Sequence, residues 1–193
     1  LMDKLIHSFT VSDKLKRHIG IFFSHGSLFA VHNSNLLFHA SMPLNEDGTL
    51  KEVCVEGKPY KGMELLQQIE LLMRSAVNSD TPPLERKNAV DYYLYAWCGP
   101  DSPLFDKARM TTFERYFIAD KETHHEEKGW YYHLRDDEKI CDMILDAFNV
   151  IGEHRHIING HVPVREKNGE SPIKGGGKLI VIDGGFCKAY QPT

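Results

Sequence analysis

Three kinds of pattern follow one another along the chain. Near its start, Ile21-Phe22-Phe23, Leu28 to Val31 and Leu36-Leu37-Phe38-His39 are short apolar runs, separated by Ser24-His25-Gly26 and His32-Asn33-Ser34-Asn35. Runs of this length punctuated by Gly and Asn predict three adjacent antiparallel strands, with His39 ending the third. Pro43 and Asp47-Gly48 put 41–48 in a surface loop. The period then changes. Met63, Leu66, Ile69, Leu72, Met73 and Ala76 recur three and four apart, which predicts a helix with one apolar face inward. Beyond Pro82-Pro83, the residues Ala89, Val90, Tyr93, Leu94 and Trp97 repeat that spacing until Cys98-Gly99-Pro100 stops the helix. Residues 101–135 mix charge with aromatics and give no clear period. Asp136-Asp137 is an N-cap candidate ahead of Ile140, Met143, Ile144, Ala147 and Phe148. Finally, 156–159 and 178–182 are apolar runs leading into glycine turns, as expected of buried strands that deliver side chains to a site. The polar stretch 165–177 between them ends in Gly175-Gly176-Gly177 and is expected to be flexible. The pattern as a whole predicts an α/β protein with a mainly helical insertion over residues 50–135.

Composition narrows the functional classes. The chain has 193 residues, of which 41% are hydrophobic, enough for a sizeable buried core. A net charge of −4 with acids and bases interleaved provides no basic stripe, so nucleic acid is not an expected partner. No apolar run approaches the roughly 20 residues that span a bilayer. The opening Leu1-Met2-Asp3-Lys4 has no signal-peptide character, so a cytoplasmic address is expected. Cys54, Cys98, Cys141 and Cys187 form no C-x-x-C pair and are each expected to be small buried side chains.

Two histidines stand at matching places, each just after a short apolar strand: Phe38-His39-Ala40-Ser41-Met42-Pro43 and Asn159-Gly160-His161-Val162-Pro163. Neutral imidazole is the commonest metal ligand, and strand ends hold ligands rigidly. A single histidine in such a place is more often a hydrogen-bonded structural residue. Other candidates are weaker. His124-His125-Glu126-Glu127 is not H-E-x-x-H and reads as a solvated charged face. His154 and His156 read as surface residues, and Gly175-Gly176-Gly177 lacks the context of a phosphate loop. Lys107, Arg109, Arg115 and Lys178 are candidate phosphate contacts through charge-assisted bonds, with ordinary surface charge the alternative at each. Neither a G-x-S-x-G element nor an activated cysteine is present to suggest covalent catalysis.

The local sequences around the histidines resemble a known superfamily. Asn159-Gly160-His161-Val162-Pro163 is similar to the G-H-x-P element of calcineurin-like metallophosphatases, and Leu36 to Pro43 resembles their strand-H-G-G-x-P element, with Ala40-Ser41 in place of two glycines. A narrower resemblance covers nearly the whole chain. Trp97-Cys98-Gly99-Pro100-Asp101-Ser102-Pro103-Leu104-Phe105, Thr112 to Phe117, Ile140 to Leu145, and Leu179 to Phe186 with Lys188-Ala189-Tyr190-Gln191 all resemble class III fructose-1,6-bisphosphatase. That resemblance implies the later part of a metallophosphatase-type β-sandwich, one partial domain over 1–193, with flanking helices. It implies hydrolysis of fructose 1,6-bisphosphate in gluconeogenesis, with two Mn2+ ions as cofactor and His39 and His161 as metal ligands. Asp183 is either an acceptor that orients a ligand or a turn former ahead of Gly184, and the turn is preferred. The superfamily's D-x-H, G-D-x-x-D and G-N-H-D/E elements do not precede His39. The piece alone is therefore expected to bind metal poorly, to lack catalysis, and to associate with missing segments of the same enzyme or with itself. A noncatalytic module binding a sugar phosphate or a partner is the rival expectation.

Overall fold

The computed structural model describes residues 1–164 and 168–183. The chain opens with two helices, α1 (Met2–Thr10) and α2 (Asp13–His25), followed by the hairpin β1 (Phe29–His32) and β2 (Asn35–Phe38). The hairpin is as the pattern predicts, with Asn33 and Ser34 at positive φ in its two-residue turn. The expected strand at Ile21-Phe22-Phe23 is instead the last part of α2. Ser12 caps that helix, its hydroxyl accepting from the Leu15 amide at 3.3 Å, and Leu15, Ile19, Phe22 and Phe23 follow at helical rather than alternating spacing.

After a small antiparallel pair, β3 (Val53–Val55) and β4 (Lys58–Tyr60), come α3 (Gly62–Val77) and α4 (Pro83–Cys98). Helix α3 buries Leu65, Leu66, Ile69, Leu72 and Met73, the expected face. On α4 the buried face keeps Ala89 and Tyr93 of the expected set and drops the rest. Ala89 and Ala96 are fully buried with Tyr92 and Tyr93 beside them, whereas Val90, Leu94 and Trp97 are exposed. The alanines let α3 and α4 approach closely, and the larger residues lie one position round. Cys54 and Cys98 are also exposed, against expectation: Val53 and Val55 point inward on β3, so the intervening Cys54 points out. Cys141 is buried as expected, and Cys187 lies outside the described residues.

Residues 101–135, which carry no periodic signal, contain the short helices α5 (Thr112–Phe117) and α6 (Trp130–Leu134) with a 3-10 turn at Lys121–His124 between them. Asp137 caps α7 (Glu138–Ala147), accepting from the Lys139 amide at 2.8 Å. The chain then forms β5 (His156–Asn159), β6 (Ile173–Lys174) and β7 (Leu179–Val181). Gly175-Gly176-Gly177 is a 3-10 turn rather than a loose connection. Gly175 is buried with φ +54°, and a Cβ there would lie 2.5 Å from the Cys141 sulfur.

Among the described residues the main sheet has five strands in the order β1-β2-β5-β7-β6. Strands β2, β5 and β7 are parallel neighbours, and antiparallel β1 and β6 form the edges. Leu36, Phe38, Ile157, Leu179 and Val181 bury one sheet face against Ile144, Leu145 and Phe148, around α7. Leu65, Ile69, Met73, Ala89 and Ala96 build a second core between α3, α4 and the β3–β4 pair. No helix among the described residues is long and apolar enough to cross a membrane.

Candidate metal centre

Three parallel strands end on the same side of the sheet, and each delivers one candidate residue there. His39 follows β2, Gly160-His161 follows β5, and Asp183 lies two residues beyond β7. Open sheets with parallel strands place ligands outside the carboxyl ends of those strands, where the following loops diverge. The loops here are tied to one another through the backbone. Gly160 N donates to His39 O at 2.9 Å, Ile182 N to Asn159 O at 2.8 Å, and Val164 N to Asp183 O at 3.1 Å.

Asn159 is the central tie. It is 1% exposed, and its Nδ2 donates to Ala40 O at 2.9 Å and to the Tyr131 hydroxyl at 2.8 Å. One side chain thus fixes the loop after His39 to the strand before His161. The other wall is formed by Ser41, fully buried, whose hydroxyl donates to the carboxylate of buried Asp106. Burial pushes the pKa of Asp106 up, opposed by that hydrogen bond. Gly129 packs directly on this carboxylate: a Cβ there would come within 2.2 Å of both oxygens.

His161 has φ +69°, rare for a residue with a side chain, in a γ-turn closed by Val162 N donating to Gly160 O at 2.9 Å. Such conformations persist where the surroundings over-determine them, and they cluster at functional sites. The turn brings Nδ1 of His161 to 3.2 Å from Nε2 of His39, with the rings edge to face. Phe105 packs edge-on against the His161 ring, 5.9 Å between centroids. The other His161 nitrogen, Nε2, is buried and has no hydrogen-bond partner.

Loss of water around the rings favours the neutral form of both imidazoles. The pKa of His161 falls to about 4, first through loss of water around the ring, then through the charge of Lys107 and the neighbouring His39, with Asp183 and Glu126 opposing. That of His39 is lowered by partial desolvation, although part of its surface stays accessible, and the Asp183 charge again opposes. Neutral rings with available lone pairs are the ligating form. Two facing imidazoles, one with an orphaned buried nitrogen, and a carboxylate whose charge reaches both, fit part of the ligand shell of a divalent transition-metal cation. Among the described residues no group of three or more His, Cys, Asp or Glu is placed to hold a metal. The turn expected at Asp183-Gly184-Gly185 extends outside the described residues.

The remaining candidates are dispersed. His154 is exposed and His156 half-buried at the opposite end of β5 from His161. In 124–127, His125 and Glu127 are exposed as expected, and Glu126 is the exception. Glu126 accepts from the Thr111 amide at 3.0 Å and from Lys107 Nζ at 3.1 Å, with only 18% of its side chain exposed. Sequence reasoning did not single out Asn159 or Asp106, and it read Glu126 as part of a solvated face. The one available signal was a polar residue, Asn159, ending an apolar run directly before Gly-His.

Sheet, paired histidines and strand-end placement together define an α/β protein with a candidate metal centre. Over residues 1–193 the chain matches the family described as Firmicute fructose-1,6-bisphosphatase, and it belongs to that family. It is 59% identical over 191 residues to a protein named fructose-1,6-bisphosphatase class 3 from Phocaeicola vulgatus, a match covering 99% of this chain and 29% of that protein. Proteins of the same name from Bacteroides fragilis and Clostridium botulinum are 57% and 54% identical over 192 residues, covering all of this chain and 29% of each. The chain thus spans about 29% of the length of these curated relatives. No solved structure matches it.

Proposed function

We propose that this chain is part of a Mn2+-dependent phosphatase that hydrolyses fructose 1,6-bisphosphate to fructose 6-phosphate and phosphate, in the cytoplasm, for gluconeogenesis. The observation that carries the reading is the convergence of His39 and His161, 122 residues apart in sequence, with ring nitrogens at 3.2 Å outside the carboxyl ends of adjacent parallel strands. The buried Nε2 of His161, without a partner, is a further donor atom that a cation could satisfy. The class 3 name carried by the relatives supports the substrate. In this reading the sheet and its flanking helices are the later part of a metallophosphatase-type sandwich, with residues 50–135 as its helical insertion.

In this reading His39 and His161 bind the cation through neutral imidazoles, Asp183 sets the local charge, and Asn159 with Gly160 holds the two loops in register. When bound, a divalent cation supplies Lewis acidity toward a phosphoryl oxygen. The test is phosphate release from fructose 1,6-bisphosphate with added Mn2+, made on this chain and on a family-length protein containing it. Activity in the longer protein, abolished by His39→Ala or His161→Ala, is the expected result. Activity undiminished by both substitutions would remove the histidines from the site, and no activity in any form would leave a binding module.

A further inference from the structure

Beside His161 opens a cleft of about 510 Å3, walled by Lys107, Arg115, His124, Glu126, Lys128 and Pro163 among others. Its volume lies in the range of small-molecule sites. The fold sorts the four basic residues that sequence alone leaves equivalent. Lys107 and Arg115 come to this cleft. Arg109 is exposed, with its Nε donating to His125 O at 3.1 Å, and Lys178 pairs with Asp142 at 3.3 Å; neither lines the cleft.

The wall is built rather than incidental. Lys107 and Lys128 face each other across an antiparallel bridge, closed by Ala108 N to Glu127 O and Gly129 N to Asp106 O, both at 2.8 Å. Arg115, in the last turn of α5, is fixed from both sides: Nε donates to Thr111 Oγ1 at 2.9 Å and a terminal nitrogen to His124 O at 3.0 Å. Those bonds use two of the five donors of the guanidinium. The side chain remains 54% exposed, with a terminal nitrogen 4.0 Å from the Glu126 carboxylate. Lys107 is occupied by Glu126 and stiffens the wall.

Charge favours a small anion. Three cations, Lys107, Arg115 and Lys128, line the cleft with two carboxylates, Glu126 and Glu170. Glu170 is also met by Lys174 at 3.2 Å and Arg135 at 3.8 Å, and Lys174 in turn by Asp136 at 3.2 Å, so cations still outnumber carboxylates among these described side chains on a chain whose net charge is −4. A guanidinium fork beside an ammonium is the donor set that phosphate oxygens prefer.

We propose that this cleft binds the phosphate group that fructose 1,6-bisphosphate retains after hydrolysis, with Arg115 and Lys128 as its charged donors. The assignment of substrate rests on the phosphatase reading above; the anion site rests on the cleft. The cleft begins at His161, so a sugar phosphate seated there extends from the histidine pair toward Arg115.

The test is an amide NMR titration of the 15N-labelled chain with fructose 6-phosphate, using fructose as the uncharged comparator. Saturable shifts are expected at 107–115, 126–129 and 161–163 with fructose 6-phosphate and not with fructose. Arg115→Gln with Lys128→Gln is expected to weaken binding at least tenfold, and Arg115→Lys to lose part of it because the fork is gone. Shifts located elsewhere, absent, or of unchanged affinity in these variants would overturn the subsite. Hydrolysis by a family-length protein is read separately. Activity without cleft binding removes the subsite alone, whereas cleft binding without activity removes the phosphatase reading alone.

Discussion

At the scale of single residues, the site depends on one tie and one strained turn. Asn159 satisfies the Ala40 carbonyl and the Tyr131 hydroxyl from a position 1% exposed. Asn159→Ala leaves both partners buried without a donor, and such losses cost about 1–3 kcal/mol each where no water replaces them. The expected result is a fall of about 2 kcal/mol in unfolding free energy, read from urea midpoints. The His39 and His161 amide resonances should move with it, since the loops lose their common anchor. His161 also sets a pH dependence. Its imidazole titrates near 6.5 when unfolded and at about 4 when folded, so between those values the unfolded chain holds more protons. Stability from this group is therefore complete above pH 6.5 and falls as the pH drops toward 4. The slope is up to about 1.4 kcal/mol per pH unit, reduced by solvent on the accessible side of the pair. Urea midpoints of metal-free protein at pH 7 and pH 5 measure it. His161→Gln should flatten the difference; an equal difference in the variant would assign the acid sensitivity to other groups.

At the scale of elements, Arg74 on α3 is what docks α2. One terminal nitrogen donates to Gly26 O at 2.7 Å and the other to Phe23 O, while Glu70 pairs with the same guanidinium at 2.7 Å and accepts from the Leu28 amide at 2.9 Å. The carbonyls at the end of α2 thus find their donors, and the negative end of the helix its cation. Arg74→Ala should raise amide exchange in α2 at least tenfold while α3 and β5 stay protected, because α2 buries no residue of its own. Equal protection in the variant would show the helix is held by other contacts. The same element marks where the sequence is hard to read. The hairpin, α3, the Asp137 cap and both late strands were legible because a single period or cap dominates each. Ile21-Phe22-Phe23 reads as a strand by composition, and only the Ser12 cap and the longer spacing reveal a helix. On α4 the spacing picked out Ala89 but not Ala96, and it drew in the larger Val90, Leu94 and Trp97, which are exposed. The histidines were legible as strand ends. Their pairing was not, since strand order alone decides that β2 and β5 are neighbours. Glu126 was misread because its partner Lys107 is 19 residues away, across a pairing with no sequence signature.

At the scale of the whole molecule, the apolar surface is distributed unlike that of a self-contained domain. Helix α1 buries no residue, and Leu5, Ile6 and Phe9 are 52%, 55% and 60% exposed. Phe22 on α2 is 74% exposed, and it flanks a groove of about 440 Å3 lined by Ile19, Phe23, Leu28, Met73, Tyr93 and Trp97. On α5, Phe113, Tyr116 and Phe117 are each more than 70% exposed. Exposed apolar side chains in this number drive association in water, at roughly 25 cal/mol per Å2 covered. The net charge of −4 is modest as a counterweight. The chain on its own is therefore expected to self-associate through the α1–α2 face, giving sedimentation coefficients that rise with concentration. Phe9→Glu with Phe22→Glu should return it to a monomer with an unchanged far-UV spectrum, since neither side chain contributes to either core. The location of the effect separates two surfaces. If Phe113→Glu with Phe117→Glu abolishes association and the α1–α2 pair does not, then α5 is the contact, and any partner there would sit over the wall that carries Arg115. Binding of fructose 6-phosphate would then depend on protein concentration, whereas association through α1 and α2, which contribute no residue to the cleft, leaves it independent. Sedimentation with and without the sugar phosphate distinguishes these outcomes.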